Sequence, residues 1–313
     1  MGHIVAFTVV TIWGSTFVFT KLLLLSGLSP AQIFTLRFII AYVLLALCPP
    51  KLGGLSHTSS PPKLGGARGG LNNRQWFADS WRDELLMVGL GISGGSMYFL
   101  TENSAMNYTT TTNTSLIVSL SPLVAATLIS IFYKVERLNR IQVLGTLMAA
   151  LGVVVVVLNG HFVLHLSPLG DSLAFSAALC WGVYSLLMIP ANKRYDTMFI
   201  TRKVFFYGLL SMIPYYLLCP SECWIFTSSI FQFFDRSILL NLLFLGYVAS
   251  MLCFLAWNWA MKELGAVTAT NYVYFNPVTT IVFAWLILSE QITVYFLLGT
   301  LLILTGMYLC DRK

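Results

Sequence analysis

Apolar residues fill this chain in long runs broken by short clusters of Gly, Pro, Lys, Arg and Asn. Ten runs can be marked off: 3–25, 30–50, 84–104, 110–133, 140–160, 168–190, 199–219, 238–261, 266–288 and 292–311. Most reach about 20 residues, the length that crosses a hydrocarbon core of roughly 30 Å at a rise of about 1.5 Å per helical residue. The strict apolar/polar alternation of barrel strands is missing. The pattern therefore predicts an all-α integral membrane fold of ten transmembrane helices. Most connections are short. In the exception, 51–83, the six residues Pro49 to Gly54 recur at Pro61 to Gly66 and more Gly and Asn follow. Such a stretch cannot bury a core and predicts a flexible loop without a function of its own.

Composition removes the soluble alternatives. The chain is 57% hydrophobic and 10% charged, with a mean hydropathy of +0.79, whereas ordinary soluble domains carry roughly a quarter charged residues. The net charge of +6 does not point to nucleic acid, because the cations sit between apolar runs and not on an amphipathic face. The loops after spans 2, 4, 6 and 8 and the C-terminus hold 15 of the 18 Lys and Arg residues, leaving Lys21, Arg37 and Arg236 elsewhere. Positively charged loops stay inside, so both termini are expected in the cytoplasm. The first run lacks a cationic leader and a small-residue cleavage site, which makes it a span and not a removed signal. Most of the six cysteines lie within apolar runs and serve as small packing residues; only Cys219 and Cys223 stand where a pair could form.

The second half repeats the first. At an offset of 155 (254 minus 99), Phe99-Leu100, Asn103, Ala105-Met106 and Pro122 match Phe254-Leu255, Asn258, Ala260-Met261 and Pro277. One gap later Glu136, Gly145-Thr146 and Gly152 match Glu290, Gly299-Thr300 and Gly306, and Trp13-Gly14 matches Trp181-Gly182 across the long loop. The chain thus divides into two five-helix units, 1–160 and 161–313. An odd number of spans makes the two copies cross the membrane in opposite senses. Inverted repeats are the architecture of secondary transporters, with the substrate near the midplane and the halves rocking about it.

The residues also resemble a known family, the drug/metabolite transporter superfamily in its ten-span branch of two EamA-type repeats. The resemblance rests on Ile12-Trp13-Gly14-Ser15-Thr16-Phe17, Leu36-Arg37-Phe38, Asn113-Thr114-Ser115-Leu116 through Ser121-Pro122-Leu123, Glu136, Gly145, Gly152, Asn276-Pro277-Val278 and Ser289-Glu290. It covers nearly the whole chain except 51–83. It implies a solute carrier of the plasma membrane, often an exporter of amino acids, metabolites or toxic compounds, working without ATP hydrolysis.

Ionisable groups within apolar spans are costly and mark candidate sites. Arg37 lies about two turns into span 2, where a substrate or gating role stands beside a structural ion pair. Glu102, near the end of span 3, is placed to meet a cation, the substrate or a coupling proton; Lys21 is close enough to a span end to snorkel. Tyr98, Asn103, Trp257 and Asn258 occupy matching places in the two repeats, which suits a midplane pocket, with helix packing as the alternative. Asn113, with Ser115 and Ser119, and the shared helix face of Thr268, Asn271 and Tyr274 suit a cavity lining, and Trp13 and Trp181 open matching spans. Pro122 and Pro277 are candidate hinges, while Pro190 and Pro214 read as helix stops or bends.

The string Gly91-Ile92-Ser93-Gly94-Gly95 is literally G-x-S-x-G, yet all four histidines lie at a terminus or in loops, so a hydrolase would lack its base. Close helix approach explains those glycines better. No P-loop and no cluster of metal ligands appears in the sequence, and neither a cofactor nor a metal is expected. The expected partners are a small-molecule substrate, the lipid bilayer and a coupling proton, with the chain a monomer or homodimer. The expected activity is alternating-access transport of a small organic metabolite, outward, with uptake of a sugar or nucleotide-like solute as the alternative. An intramembrane enzyme or a sensor is disfavoured by the missing base and the missing soluble domain.

Overall fold

The structure, a computed structural model, describes residues 1–47, 77–109, 111–133, 140–158, 167–222, 235–288 and 294–311. The described segments form ten helical spans. They are α1 (Gly2–Leu25), α2 (Pro30–Leu47), α3 (Trp81–Tyr108), α4a (Thr111–Val118) with α4b (Ser121–Phe132), and α5 (Arg140–Leu158) in the first half. The second half holds α6 (Pro168–Arg194), α7a (Thr197–Leu210) with α7b (Met212–Leu218), α8 (Arg236–Leu264), α9a (Ala266–Asn271) with α9b (Asn276–Leu288), and α10 (Val294–Asp311). Five of these, α1, α2, α3, α6 and α8, are continuous helices long and apolar enough to cross a membrane unaided. The flexible-loop expectation for 51–83 and the Cys219–Cys223 pairing rest largely on residues outside those described.

Each expected span is present, with its ends moved by local chemistry. α3 begins at Trp81, earlier than expected, because the Ser80 side chain accepts a hydrogen bond from Asp83 N at 3.2 Å. Asp83 and Glu84 then sit in the first turn, where the helix dipole favours negative charge. α6 continues through Pro190, which therefore is not a stop, to a last turn carrying Lys193 and Arg194. Spans 4 and 9 are interrupted rather than merely bent. α4a ends just before Ser121-Pro122, and α9a passes through a 3-10 turn at Tyr272–Phe275 before Asn276-Pro277. A proline in the first turn of the following segment needs no backbone donor, so the break falls where it costs least.

α3 and α8, the third spans of the two repeats, share a second irregularity. α3 widens into a π-helix at Ile92–Ser96 and α8 at Phe244–Leu252. Both irregular stretches approach a neighbour through equivalent glycines, 155 positions apart (246 minus 91). A Cβ on Gly91 would stand 2.5 Å from Tyr207 Cβ on α7a, and one on Gly246 would stand 2.6 Å from Ile40 Cγ2 on α2. This confirms close helix approach as the reason for the glycines around Ser93, whose hydroxyl donates to Gly89 O at 2.7 Å.

Helix packing follows the duplication. α1 packs on α8 and α9b of the other half, and its counterpart α6 packs on α3 and α4b. α2 packs on the π segment of α8 as α7a does on α3, while α2 meets α7a and α5 meets α10 across the symmetry axis. The fold is therefore two inverted five-helix repeats that interlock. Large apolar side chains such as Leu147, Leu151, Leu297 and Leu301 stand exposed on α5 and α10, as suits a protein surrounded by hydrocarbon.

Candidate functional site

One cavity lies where the two repeats meet. Trp13, Thr16 and Phe17 of α1, Arg37 of α2, Tyr98, Phe99 and Glu102 of α3, and Ser121 of α4b line it from the first repeat. Trp181 of α6, Phe254 of α8, Val273 of the 3-10 turn and Asn276 of α9b line it from the second. Three pairs in this set are duplicates of one another: Trp13 and Trp181, Phe99 and Phe254, Ser121 and Asn276. Two of the pairs touch across the axis, with ring centroids 5.4 Å apart for Trp13–Trp181 and 6.2 Å for Phe99–Phe254. The free space is about 20 Å³, the room of a single water molecule. An organic solute therefore does not fit unless the lining helices move apart.

Aromatic rings make the wall. Tyr98 lies against Trp181 at 5.0 Å and against Phe99 at 4.9 Å. Trp257 stands behind this layer, 5.0 Å from Trp13 and 6.1 Å from Trp181. Into this apolar setting the chain puts one cation and one anion. The Arg37 guanidinium sits 4.3 Å from the Phe99 ring centre, a cation–π contact, and its Nε donates to Ser250 Oγ at 2.9 Å. Ser250 belongs to the π segment of α8, which Gly246 brings against α2. The Glu102 carboxylate accepts the Tyr98 hydroxyl at 2.8 Å. Both charged residues are buried, at 2% and 7% exposure. No nitrogen of Arg37 comes within 4.0 Å of a Glu102 oxygen. Near the same place, Trp181 Nε1 and Asn276 Oδ1 are buried without a hydrogen-bond partner, an expense that proteins rarely leave unexplained.

Of the residues marked from sequence, Trp13, Arg37, Tyr98, Glu102 and Trp181 line this cavity, and Trp257 backs its wall. The others sit elsewhere. Asn103 is fully buried and donates from Nδ2 to Pro30 O at 3.3 Å, tying α3 to α2. Asn258 accepts the Tyr184 hydroxyl and donates to Thr201 Oγ1 at 2.9 Å, joining α6, α7a and α8. These bonds between helices are of the kind expected from helix packing, the alternative weighed for both asparagines. Tyr274 belongs to a separate apolar cluster with Ala149, Val153 and Ile303 between α5, α9 and α10. Asn271 is buried away from the lining, with both amide atoms unpartnered. The side chain of Asn113 lies outside the described residues. Lys21 donates from Nζ to Met106 O at 2.9 Å and so closes the end of α3.

The residues missed from sequence are Thr16, Phe17, Phe99, Ser121, Ser250, Phe254, Val273 and Asn276. Phe99 and Phe254 head the strongest match between the halves, and Ser121 and Asn276 directly precede the matched prolines, so the duplication held the signal for four of them. Ser250 could not be found that way, since only the packing of α8 on α2 brings it to Arg37.

Polar ties also join the two repeats outside the cavity lining. At the end where α3 begins, the Glu84 carboxylate accepts from Lys203 and from the Tyr207 hydroxyl, and Asp83 pairs with Arg194. Asp83 also accepts the Tyr195 hydroxyl at 3.1 Å. These contacts bind the first repeat's α3 to the second repeat's α6 and α7a. At the other end, Thr35 and Tyr216 share a hydrogen bond of 2.8 Å between α2 and α7b. Among the described residues, no group of three His, Cys, Asp or Glu is placed to hold a metal ion.

Comparison with known proteins gives this geometry a context. The signature of the EamA-like transporter family matches twice, over residues 1–158 and 168–310. An uncharacterized transporter of Archaeoglobus fulgidus is 24% identical over 99% of this chain and 97% of its own. A probable amino-acid metabolite efflux pump of Escherichia coli is 24% identical over 98% of this chain and 93% of its own. A probable terminal-alkyne amino-acid exporter of Streptantibioticus cattleyicolor is 24% identical over 74% of each chain. A protein solved by crystallography has the same fold, with a TM-score of 0.68 and 23% identity over 99% of this chain and 96% of that one. With both halves matched and every helix accounted for, the chain is a transporter and not an enzyme, a member of the EamA-like transporter family.

Proposed function

We propose that this protein carries a small organic metabolite out of the cell by alternating access, with the cavity between the repeats as its binding site. One observation carries the reading: three pairs of duplicated residues, Trp13/Trp181, Phe99/Phe254 and Ser121/Asn276, line a single cavity. A site on the axis of inverted repeats can face either side of the membrane when one half rocks against the other. The halves that move are 1–160 and 161–313. The interrupted spans supply the hinges, with α4 yielding before Pro122 and α9 before Pro277. The Glu84–Lys203 and Asp83–Arg194 ties form the gate on one side and the Thr35–Tyr216 bond part of the gate on the other. The distribution of Lys and Arg supports a cytoplasmic position for both termini and for the gate at Glu84. The resemblance to solute carriers supports the plasma membrane. Outward transport is supported by relatives described as efflux pumps and exporters.

The test is untargeted metabolite profiling of cells and medium, comparing the wild-type protein with a Trp13→Ala/Trp181→Ala variant that is shown to reach the membrane. A solute enriched in the medium only with the wild type supports the reading. Accumulation inside the cells makes the protein an importer, and equal profiles for both proteins refute the cavity as the transport site. Repeating the assay with the proton gradient collapsed shows whether a proton is the coupling ion.

A further inference from the structure

Two buried polar atoms on the cavity wall lack what their duplicates have. Trp181 Nε1 and Asn276 Oδ1 belong to lining residues that are 4% and 5% exposed, and neither atom has a hydrogen-bond partner among the described residues. The fold does not force this. In the first repeat the duplicate of Trp181, Trp13, gives its Nε1–H to Ala249 O at 2.9 Å. The duplicate of Asn276, Ser121, gives its hydroxyl to Val118 O. The second repeat thus keeps two polar groups from protein partners at a cost that their counterparts avoid.

The two atoms ask for opposite things. An indole nitrogen only donates, and an amide oxygen only accepts. Whatever satisfies both must accept from Trp181, donate to Asn276 and fit a free space of about 20 Å³. A metal cation cannot accept. A halide cannot donate, and it would face the Glu102 carboxylate that lines the same space. A water molecule does both, and about 10–15 Å³ of such space is enough to hold one. Buried waters also need further polar neighbours, and the Arg37 guanidinium and the Glu102 carboxylate border the same space with one more donor and one more acceptor.

We propose that the solute-free protein holds one ordered water in this cavity, accepting from Trp181 Nε1 and donating to Asn276 Oδ1. The water does for Trp181 what Ala249 O does for Trp13. Trp181 lies on α6 and Asn276 on α9b, so it links two helices of the second repeat and faces the charged residues of the first. It keeps that charged wall solvated when no solute is bound, and a solute that enters must displace it. The inference goes beyond transport, because it holds whichever solute is carried and in whichever direction.

The test is radiolytic hydroxyl labelling of the purified full-length protein without added solute, read residue by residue by mass spectrometry. Radicals formed from a bound water mark the rings beside it, so Tyr98 and Trp181 are expected to be labelled although buried. Tyr184, also buried but off the lining, is expected to stay unlabelled. On rapid mixing with water carrying heavy oxygen, the isotope should reach Tyr98 later than the exposed Trp81, because a held water exchanges slowly. A Trp181→Phe/Asn276→Leu variant keeps side chains of similar bulk and removes both partners. Its Tyr98 labelling should fall by about tenfold, the scale of one or two neutral hydrogen bonds lost. Wild-type labelling of Tyr98 no greater than that of Tyr184 overturns the proposal. So does isotope exchange as fast as at Trp81, the sign of bulk water, and so does Tyr98 labelling that the variant leaves unchanged. If the variant does not fold, the two wild-type comparisons decide.

Discussion

Replacing Asn258 by alanine should cost stability and leave ligand recognition intact. Asn258 is fully buried between three helices, accepting the Tyr184 hydroxyl and donating to Thr201 Oγ1 at 2.9 Å. In the variant, Thr201 keeps its own donation to Thr197 O at 2.8 Å. The Tyr184 hydroxyl, on a residue with 0% exposure, loses its acceptor. A stranded buried donor costs about 1–3 kcal/mol, and interhelical hydrogen bonds within membranes average about 0.6 kcal/mol. The space left by the amide adds to the loss, so the total should be about 2 kcal/mol. One kcal/mol moves Tm by about 2–4 °C in domains of 150–250 residues and by less in a longer chain, so a fall of a few degrees is expected. Thermal unfolding in detergent would be measured for Asn258→Ala, Tyr184→Phe and the double variant. The double variant should lose less than the sum of the two singles by about 1 kcal/mol, because the stranded hydroxyl is gone. An unchanged Tm together with weakened solute binding would refute the reasoning and return Asn258 to the binding site.

Other outcomes follow from the same structure. Glu84→Gln should destabilise by about 3–5 kcal/mol, since it strands the buried Lys203 ammonium, and Lys203→Met by less, since the partly buried Glu84 keeps the Tyr207 hydroxyl and the Ala78 N–H; the joint substitution should recover much of the Glu84→Gln loss in an unfolding assay. Gly14→Ala would place a Cβ 1.7 Å from Thr279 Oγ1 and 2.7 Å from Thr279 Cβ. Forcing α1 from α9b should cost about 1–3 kcal/mol and lower the yield of monodisperse protein. Single cysteines at the exposed positions Ser26 and Lys193, in a background without native cysteines, should label oppositely with a membrane-impermeant maleimide on intact cells. Reaction at position 26 and none at 193 agrees with cytoplasmic termini, and the reverse pattern overturns that orientation. Ser93→Ala should leave transport and Tm unchanged, because its hydroxyl serves only Gly89 O.

The spans could be read from sequence because a bilayer demands an apolar run of fixed length. The same demand makes Arg37 and Glu102 conspicuous, since few charges stand inside such runs. The interruptions at Pro122 and Pro277 were visible as prolines, though not as complete breaks. Helix faces were harder to read. Glu102 and Tyr98 are four residues apart and share the face toward the cavity, while Asn103, one residue on and so about 100° around the helix, turns to Pro30. Asn258 departs from Trp257 by the same single step. Composition does not reveal the wide turns that set these faces: Ile92–Ser96 reads as ordinary helix with two glycines, and only packing against α7a and α6 makes it otherwise.

Those wide turns have a history and a mechanical meaning. They interrupt equivalent stretches of α3 and α8, so the surplus residue was either present before the gene doubled or acquired twice. A π turn holds one residue more than an α-helical path of the same length needs. Tightening it to α geometry would swing everything beyond it by about 100°, carrying Phe99 and Glu102 off the cavity in one half, or Phe254 in the other. Each third span therefore stores a discrete twist, whose release would reorient one wall of the cavity without unfolding a helix or sliding it through the bilayer.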